Sequence, residues 1–288
     1  AAGGIVARSV LAALKNETCE SLWLLHLPLD LLSQIVPNTI KGHGETTTQH
    51  AAIQEAIQKG ELVIDQEVDP KLLAFDFTSG DPAWEAERGA LSWSSPILVD
   101  NAGRMELILT NSAAVDSYDP ATGKLLWRVE CLGGEVGSSA AHADGIVFVA
   151  GEGTTGSALD VSRHDAEPRV LWQWDLSLPD AASSLVKDGY VVVPTSYGVV
   201  SCLEARTGKL LWEHDFDRGF WSSPIAVDDR VYLIDRAGAM QVFALGDTFE
   251  LLAESKIAEG AYATPAFVGD RIYIRGLTHL FCVAAEGS

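Results

Sequence analysis

The sequence predicts an all-β protein, a β-propeller built from four-stranded antiparallel blades. Three observations predict this fold: a tryptophan motif recurs along the chain, a serine-rich motif recurs between its copies, and the intervening segments have strand-like patterns. Both motifs return after about forty residues, the period of a blade with four short strands. We therefore expect about seven blades, with six to eight possible, in a single domain over residues 1–288.

The first motif has the form Ala-x-Asp-x-x-Thr-Gly-x-x-x-Trp. Two close copies end at Trp127 and Trp212, and a third copy, ending at Trp84, keeps the acid and the glycine. A worn copy ends at Trp23, and a copy with four extra residues ends at Trp172. The glycines that stand four residues before a tryptophan are Gly80, Gly123 and Gly208. The constant spacing indicates one local structure repeated in each unit.

The second motif is a pair of small residues, often preceded by an aromatic residue and followed by proline. Its copies align at Ser95, Ser139, Ser184, Ser223 and Thr264. Between the motifs, residues 191–193 are β-branched and residues 271–275 alternate polar with apolar side chains, as strands do. Asp-Gly and Thr-Gly pairs separate these runs at hairpin distances. Each unit is therefore predicted to be a four-stranded antiparallel sheet.

Residues 28–60 break this pattern. Residues 29–36 end at Pro37, and Thr46 is a candidate N-cap before apolar residues at helical spacing, with Gly60 as a stop signal. We expect a short helical insertion in one blade at about residues 28–60. The alternative is a degenerate blade, because neither motif is visible there.

The first motif resembles the tryptophan-docking motif of the PQQ-like propeller family, named for quinoprotein alcohol dehydrogenases. The resemblance covers residues 71–285 well and residues 1–25 weakly. In that family the tryptophan lies between blades, stacks on the glycine peptide of the neighbouring turn and donates a hydrogen bond through its indole. The resemblance implies that blades are joined by Trp23, Trp84, Trp127, Trp172 and Trp212, with Gly80, Gly123 and Gly208.

Family resemblance does not fix the chemistry, because one fold hosts both enzymes and inert scaffolds. Quinoprotein dehydrogenases of this type show an adjacent cysteine pair beside the quinone and a set of Glu, Asn and Asp around calcium. No two of the four cysteines here are adjacent. Cys202 and Cys282 fall at the small-residue position of the repeat, so we expect two buried free thiols. No catalytic residue, cofactor or metal site is predicted.

Other chemical motifs are weak; they are His43 with His50, Asp215 with Asp217, Asp228 with Asp229, and the glycine-rich residues 151–156. The histidine pair lacks an obvious third ligand for a metal. The acid pairs lack the glycine-centred spacing of a calcium loop. The glycine-rich residues lead into a strand of the repeat, whereas a dinucleotide site needs a helix there, so we reject that motif.

Charge and hydropathy argue against a nucleic acid partner and against a transmembrane segment. The chain carries 20 basic and 40 acidic side chains, a formal charge of −20. Such a charge repels phosphate backbones, so no nucleic acid partner is expected. No uncharged apolar run reaches the roughly 18 residues that a membrane helix needs, so no transmembrane segment is predicted.

Intact blade motifs without the redox residues favour a non-catalytic scaffold that binds a protein partner. Propellers present wide rims of loops on which another protein can dock. The resemblance implies a periplasmic or secreted bacterial protein, similar in class to the propeller lipoprotein of outer-membrane assembly. The alternative is a PQQ- and calcium-dependent alcohol or sugar dehydrogenase whose ligands are dispersed along the chain.

The two ends of the chain are expected to meet, because an open propeller leaves strand edges that invite aggregation. We expect residues 22–25 to lie beside the terminal blade. Residues 10–14 and 279–283 are both candidate third strands, so the two ends either share one blade or head separate blades.

Overall fold

The computed structural model describes residues 70–284 apart from 78, 91, 102, 135 and 164, and four short strands before them. These strands are β1 (Val10–Leu11), β2 (Leu24–Leu25), β3 (Ala56–Gln58) and β4 (Glu61–Asp65). The regular secondary structure in the described ranges consists of β-strands, with no helix among them. The predicted all-β class is confirmed.

The strands form antiparallel sheets in chain order, and each sheet is one blade. Blade 1 comprises β3, β4, β5 (Lys71–Asp76) and β6 (Pro82–Glu87). Blade 2 comprises β7 (Ile97–Asn101), β8 (Arg104–Thr110), β9 (Ala114–Tyr118) and β10 (Leu125–Glu130). Blade 3 comprises β11 (Ala141–Ala143), β12 (Ile146–Val149), β13 (Gly156–Asp160) and β14 (Arg169–Trp174).

The remaining blades continue the same order. Blade 4 comprises β15 (Leu185–Lys187), β16 (Tyr190–Pro194), β17 (Val199–Glu204) and β18 (Leu210–Asp215). Blade 5 comprises β19 (Ile225–Val227), β20 (Arg230–Ile234), β21 (Ala239–Ala244) and β22 (Leu251–Lys256). Blade 6 has three described strands, β23 (Ala266–Val268), β24 (Arg271–Arg275) and β25 (Leu280–Ala284). The described ranges thus hold about six blades, the lower end of the predicted range.

The blades are arranged around a common axis. First strands of neighbouring blades contact one another, as β3 does β7 and β15 does β19. The fourth strand lies furthest out, and every residue of β22 is exposed. This radial repetition of small sheets is the predicted propeller architecture.

One register recurs at the outer edge of four blades. The docking tryptophan lies directly opposite a small residue of the third strand; the pairs are Ala74 with Trp84, Ser117 with Trp127, Ala158 with Trp172, and Cys202 with Trp212. The register shifts beside the pair in each of these blades. The small residue is needed because the indole covers the same stretch of sheet surface.

The hydrophobic core is divided among the interfaces between blades. One cluster joins Ile108 and Val115 of blade 2 to Val147 and Leu159 of blade 3. Equivalent clusters join blades 1 and 2, 3 and 4, 4 and 5, and 5 and 6. The second and third strands therefore bury alternate residues against the preceding and the following blade.

The antiparallel order places connections on two opposite faces. The loop face carries the links between blades (residues 88–96, 131–140, 175–184, 216–224 and 257–265) and the turns between second and third strands (111–113, 150–155, 195–198, 235–238 and 276–279). The turn face carries the turns between first and second strands (102–103, 144–145, 188–189, 228–229 and 269–270) and between third and fourth strands (77–81, 119–124, 161–168, 205–209 and 245–250).

The predicted helical insertion at residues 28–60 is wrong where the structure describes it. Residues 56–58 form β3, the first strand of blade 1, and Gln58 pairs with Glu61. Pairing with strand β4 satisfies the backbone hydrogen bonds of these residues, so a helix is not needed to do so. Residues 28–55 lie outside the described residues. A strand at residues 56–58 agrees with the alternative that these residues belong to a degenerate blade.

The N-terminal expectations are tested only in part. Leu11 of β1 pairs with Leu24 of β2, so two short strands form where residues 10–14 and 22–25 were expected to do so. Closure against the terminal blade and the single domain over residues 1–288 stay predictions. In the described ranges no helix has the length and hydropathy to cross a membrane.

Candidate functional site: blade interfaces and the loop face

The turn between third and fourth strands has the same backbone in blades 2 and 4. Gly123 donates its N–H to the carbonyl of Asp119 (2.8 Å), and Gly208 donates likewise to Glu204 (2.8 Å). These glycines have φ of +69° and +71°, the left-handed region that glycine enters without strain. The Asp119 carboxylate accepts the N–H of Ala121 (2.9 Å). The constant spacing of acid and glycine therefore encodes this turn.

Two of the predicted tryptophans bond across blade interfaces to a backbone carbonyl. Trp84 of blade 1 donates to the carbonyl of Pro120 in blade 2 (2.9 Å). Trp172 of blade 3 donates to the carbonyl of Ala205 in blade 4 (2.8 Å). A Cβ built on Gly208 would lie 2.6 Å from the Trp172 ring. Only glycine lets the turn approach the indole face so closely.

Trp212 of blade 4 reaches blade 5 in a related way. Its indole donates to the carbonyl of Gly246 (2.9 Å). Its ring lies edge-on to Phe243, with centroids 5.7 Å apart, and tilted against Phe249, with centroids 5.2 Å apart. Here aromatic side chains of the next blade take the place of a glycine beneath the indole.

Trp127 has a different acceptor. Its indole donates to the Glu106 carboxylate of its own blade (2.7 Å). The blade 3 turn, residues 161–168, contains no glycine on which the ring could stack. The Val161 carbonyl, which follows the turn acid as Pro120 and Ala205 do, accepts instead from the Asn101 amide (2.6 Å). The sequence did not reveal this difference, because the partner comes from another strand.

The remaining members of the predicted docking set are described in part. Gly80 has φ of +75° and its N–H donates to the carbonyl of Asp76 (2.7 Å), as in blades 2 and 4. Its expected partner Trp23 lies outside the described residues. That all five tryptophans join blades stays a prediction.

The second motif forms a belt of hydrogen bonds that sequence reasoning missed. In each step the backbone N–H of one blade donates to the hydroxyl of the next; the steps run from Ser95 to Ser139, Ser183, Ser223 and Thr264, at 2.8, 3.0, 2.9 and 2.9 Å. The alignment on Ser184 is therefore wrong by one residue, because Ser183 stands two residues before its first strand, as Ser95 does. The repeat of a hydroxyl at one register was the available signal.

The cysteine prediction is half correct. Cys202 is free and buried, and Cys282 is free but exposed. Burial raises the pKa of the Cys202 thiol to about 12, and the charge of Asp247 adds to the shift. The difference has a simple cause, since Cys202 packs against blade 5 whereas Cys282 lies on the last described strand of blade 6.

The weak chemical motifs form no site in the described part of the chain. No three His, Cys, Asp or Glu side chains there are placed to hold a metal ion. Asp215 ends β18, and Asp228 with Asp229 forms a turn. Residues 151–155 form a turn that leads into β13 and not into a helix, which agrees with the rejection of a dinucleotide-binding loop. His43 and His50 lie outside the described residues.

The loop face carries exposed apolar side chains. Leu176 is 62% exposed, Tyr197 56% and Leu277 54%. They project from links and turns of blades 3, 4 and 6. Trp221 lies nearby on the link into blade 5, with the Arg236 guanidinium 5.1 Å from its ring centroid. Aromatic and apolar side chains with an adjacent arginine are typical of protein-binding surfaces.

The turn face is different in chemistry. An exposed aspartate occupies the turn between first and second strands in blades 3, 4, 5 and 6; these residues are Asp144, Asp188, Asp228 and Asp270. The first three have φ between +50° and +53°, which aspartate tolerates better than most residues. Exposed acids such as Asp175 and Asp217 also lie on the loop face, and Phe77 is 45% exposed on the turn face. The more fully exposed apolar side chains lie on the loop face, which is therefore the candidate binding face.

Comparison with known proteins assigns the family. The family described as Outer membrane protein assembly factor BamB matches residues 72–168 and 157–276, more than half of the chain. The chain belongs to the BamB family. A BamB from Moranella endobia is 23% identical over 71% of this chain and 65% of its own length. A BamB from Bordetella pertussis is 23% identical over 72% of this chain and 55% of its own length.

Solved structures support the same fold. BamB from Moraxella catarrhalis aligns with a TM-score of 0.59 at 18% identity, over 81% of this chain and 70% of that chain. The designed protein Ika8 aligns with a TM-score of 0.66 at 16% identity, over 80% of this chain and 70% of its own. The chain spans 65% and 55% of the two curated BamB relatives, so what a whole BamB does is transferred only as a proposal.

Proposed function

We infer that this chain is a non-catalytic scaffold of outer-membrane protein assembly that binds a protein partner through its loop face. The observation that carries the proposal is the set of exposed apolar side chains there, Leu176, Tyr197 and Leu277. Membership of the BamB family supplies the process. A periplasmic location in a bacterium follows from the same membership and belongs to the proposal.

The chemistry of the loop face fits a protein more closely than a small molecule. Its apolar side chains project from rigid blade ends, and large exposed apolar groups beside polar ones mark protein interaction sites. Tyrosine and leucine at such positions gain apolar burial when a partner covers them. The aspartates of the turn face would instead repel an acidic partner.

A complementation experiment tests this proposal. In bacteria that depend on this chain as their BamB, Leu176→Asp and Tyr197→Asp are expected to lower the amount of assembled outer-membrane protein while leaving the melting temperature unchanged. Val227→Asp is the matched control, because Val227 is also exposed but lies next to the turn face. Equal assembly by all three variants would overturn the assignment of the loop face.

The quinoprotein alternative is less well supported, because the matching family is named for assembly and the adjacent cysteine pair is missing from the sequence. A direct experiment separates the two functions. The protein is incubated with PQQ and calcium, gel-filtered and examined for quinone absorbance and for dye reduction driven by alcohols or sugars. Stoichiometric retention with turnover would favour the dehydrogenase.

A further inference from the structure

The interface between blades 2 and 3 is constructed differently from its neighbours. At the interfaces of blades 1 with 2 and 3 with 4, an indole bonds directly to a backbone carbonyl of the next blade. Between blades 2 and 3, two side chains intervene. Trp127 donates to Oε2 of Glu106 (2.7 Å), while the Asn101 amide nitrogen lies 3.0 Å from Oε1 of Glu106 and 2.6 Å from the Val161 oxygen.

Glu106 is the centre of this arrangement and its side chain is fully buried. Besides Trp127 and Asn101, it accepts hydrogen bonds from Arg104 Nη2 (2.7 Å) and Ser117 (2.8 Å). Burial favours the protonated form and raises the pKa of Glu106. The hydrogen bonds from these donors favour the carboxylate and together outweigh burial, so the pKa of Glu106 lies below its usual value. Protonation would place a hydroxyl among donors and remove an acceptor that several of them share.

A second titratable group faces the same interface from blade 3. His142 lies on β11, and its buried Nε2 has no hydrogen-bond partner in the described part of the chain. Burial lowers the pKa of His142, although the charges of Glu106 and Asp144 oppose the shift. The fold therefore holds this imidazole neutral, and adding a proton costs folding free energy.

Other titratable and charged groups lie around this interface in the described part of the chain. Burial raises the pKa of the Cys131 thiol to about 11, so the thiol stays neutral as pH falls. Arg104, on the same strand as Glu106, forms an ion pair with it. Asp144 follows β11 and is exposed. At the end of β13, Asp160 accepts from Ser162 (2.6 Å) and pairs with Arg169 (3.5 Å). Among these groups, Glu106 and His142 are the two whose protonation would disturb buried contacts.

We propose that the group formed by Asn101, Glu106 and Trp127 of blade 2 and His142 and Val161 of blade 3, here called the acid seam, marks the interface at which the propeller opens first as pH falls. The partner set of Glu106 requires a carboxylate, whereas the indole–carbonyl bonds of Trp84, Trp172 and Trp212 contain no titratable group. The other buried carboxylate of blade 2, Asp116, is held by both its oxygens in a two-pronged ion pair with Arg128. The seam thus gives the ring a defined point of opening under acid conditions.

Both titrations act in the same direction. The folded pKa of His142 is below its ordinary value of 6.5, so its contribution is complete above that pH and is lost as pH falls below it. The folded pKa of Glu106 is below 4.5, so its contribution is complete above that pH and is lost as pH falls through the lowered pKa. Acid therefore weakens the seam first through His142 and then through Glu106.

Hydrogen exchange of the unmodified protein is the primary test. Exchange is measured at about pH 7.5 and about pH 4 and corrected for intrinsic rates, with seam peptides from β8 and β12 compared with peptides from β17 and β20. The second pair flanks the blade 4 to blade 5 interface, where Trp212 bonds a carbonyl. We expect seam exchange to rise at least about tenfold more than the reference. An equal rise at both interfaces would overturn the proposal, and this result needs no variant.

Two variants sharpen the test. Glu106→Gln is expected to expose the seam already at neutral pH and so to reduce the further rise in exchange on going to acid, because the amide presents donors to donors. Glu213→Gln is the matched control, since Glu213 is exposed and accepts only from serine hydroxyls in the described contacts. His142→Gln is expected to move seam opening to lower pH. A seam whose acid response is unchanged by both Glu106→Gln and His142→Gln would contradict the assignment.

Discussion

At the scale of single residues, the motif glycine and the motif tryptophan act as a pair across an interface. Gly208 combines a left-handed φ with a Cβ direction that points at the Trp172 ring. Either feature alone would favour glycine. Together they explain why the sequence spacing is kept so closely in blades 2 and 4.

Comparing Gly208→Ala with Gly189→Ala separates the contact with the Trp172 ring from the strain of a positive φ. The added methyl would lie 2.6 Å from the Trp172 ring, so we expect a loss of about 2 to 4 kcal/mol, the sum of φ strain and overpacking. Gly189→Ala is the matched control, because Gly189 has φ of +84° but nothing within 4 Å of its Cβ direction. Chemical denaturation measures both variants. Equal losses would show that Trp172 does not press on the turn.

Trp212→Ala is expected to destabilise the protein by about 3 to 5 kcal/mol, because the aromatic site between blades 4 and 5 cannot collapse. Trp93→Ala should cost less, since Trp93 is 36% exposed whereas Trp212 is 8% exposed. Thermal unfolding of the two variants checks the difference. A common shift in melting temperature would count against the docking role.

At the scale of elements, blade 4 is joined to blades 3 and 5 at both its inner and its outer edge. The serine belt connects the segments just before the first strands, from Ser95 in blade 2 to Thr264 in blade 6. Trp84, Trp172 and Trp212 connect fourth strands to a turn of the next blade. Two separate attachments fix the angle between blades, which a single contact would not do.

Ser223→Ala removes one step of the belt and leaves the Ser183 N–H without its acceptor. We expect a loss of about 0.5 to 2 kcal/mol, the range for a partly buried amide that loses its acceptor. Ser223→Thr should be close to neutral, because Thr264 fills the equivalent role with a threonine hydroxyl. Denaturation midpoints measure both. A Thr variant as unstable as the Ala variant would show that the hydroxyl is not what matters.

At the scale of the whole molecule, the formal charge of −20 opposes compaction. Acidic turns are repeated around one face, and only part of their charge is offset locally, by Lys187 beside Asp188 and Arg271 beside Asp270. The fold tolerates this because the blades bury their apolar residues in the interfaces between them. Salt that screens the repulsion should therefore favour the folded state.

Salt and charge variants test this view together. Raising NaCl from about 0.02 M to about 0.3 M is expected to increase the melting temperature. The double variant Asp144→Asn and Asp228→Asn should raise it at low salt and reduce its salt dependence, because two negative charges are removed and asparagine also tolerates the positive φ of both turns. Scanning calorimetry gives both numbers. A melting temperature that is insensitive to salt in the unmodified protein would contradict self-repulsion.

The sequence by itself determined the repeating unit. Strand patterning, the acid and glycine spacing of the turn, and the hydroxyl motif are local features, and each depends on residues within one blade. Local features repeat when the local structure repeats, so the class of fold and the positions of Gly123 and Gly208 followed from the chain alone. The helical prediction failed at residues 56–58, because three residues fit either period and pairing with β4 decided between them.

Only the tertiary structure decided what each repeat meets in the next blade. Trp127 and Trp212 stand in nearly identical motifs, yet one bonds to Glu106 and the other to the carbonyl of Gly246. Cys202 and Cys282 also share a motif position but differ in burial. In each case the local sequence is the same and the facing surface is not, because residues distant in the chain supply that surface. Contacts across an interface depend on both partners, and a repeat shows only one of them.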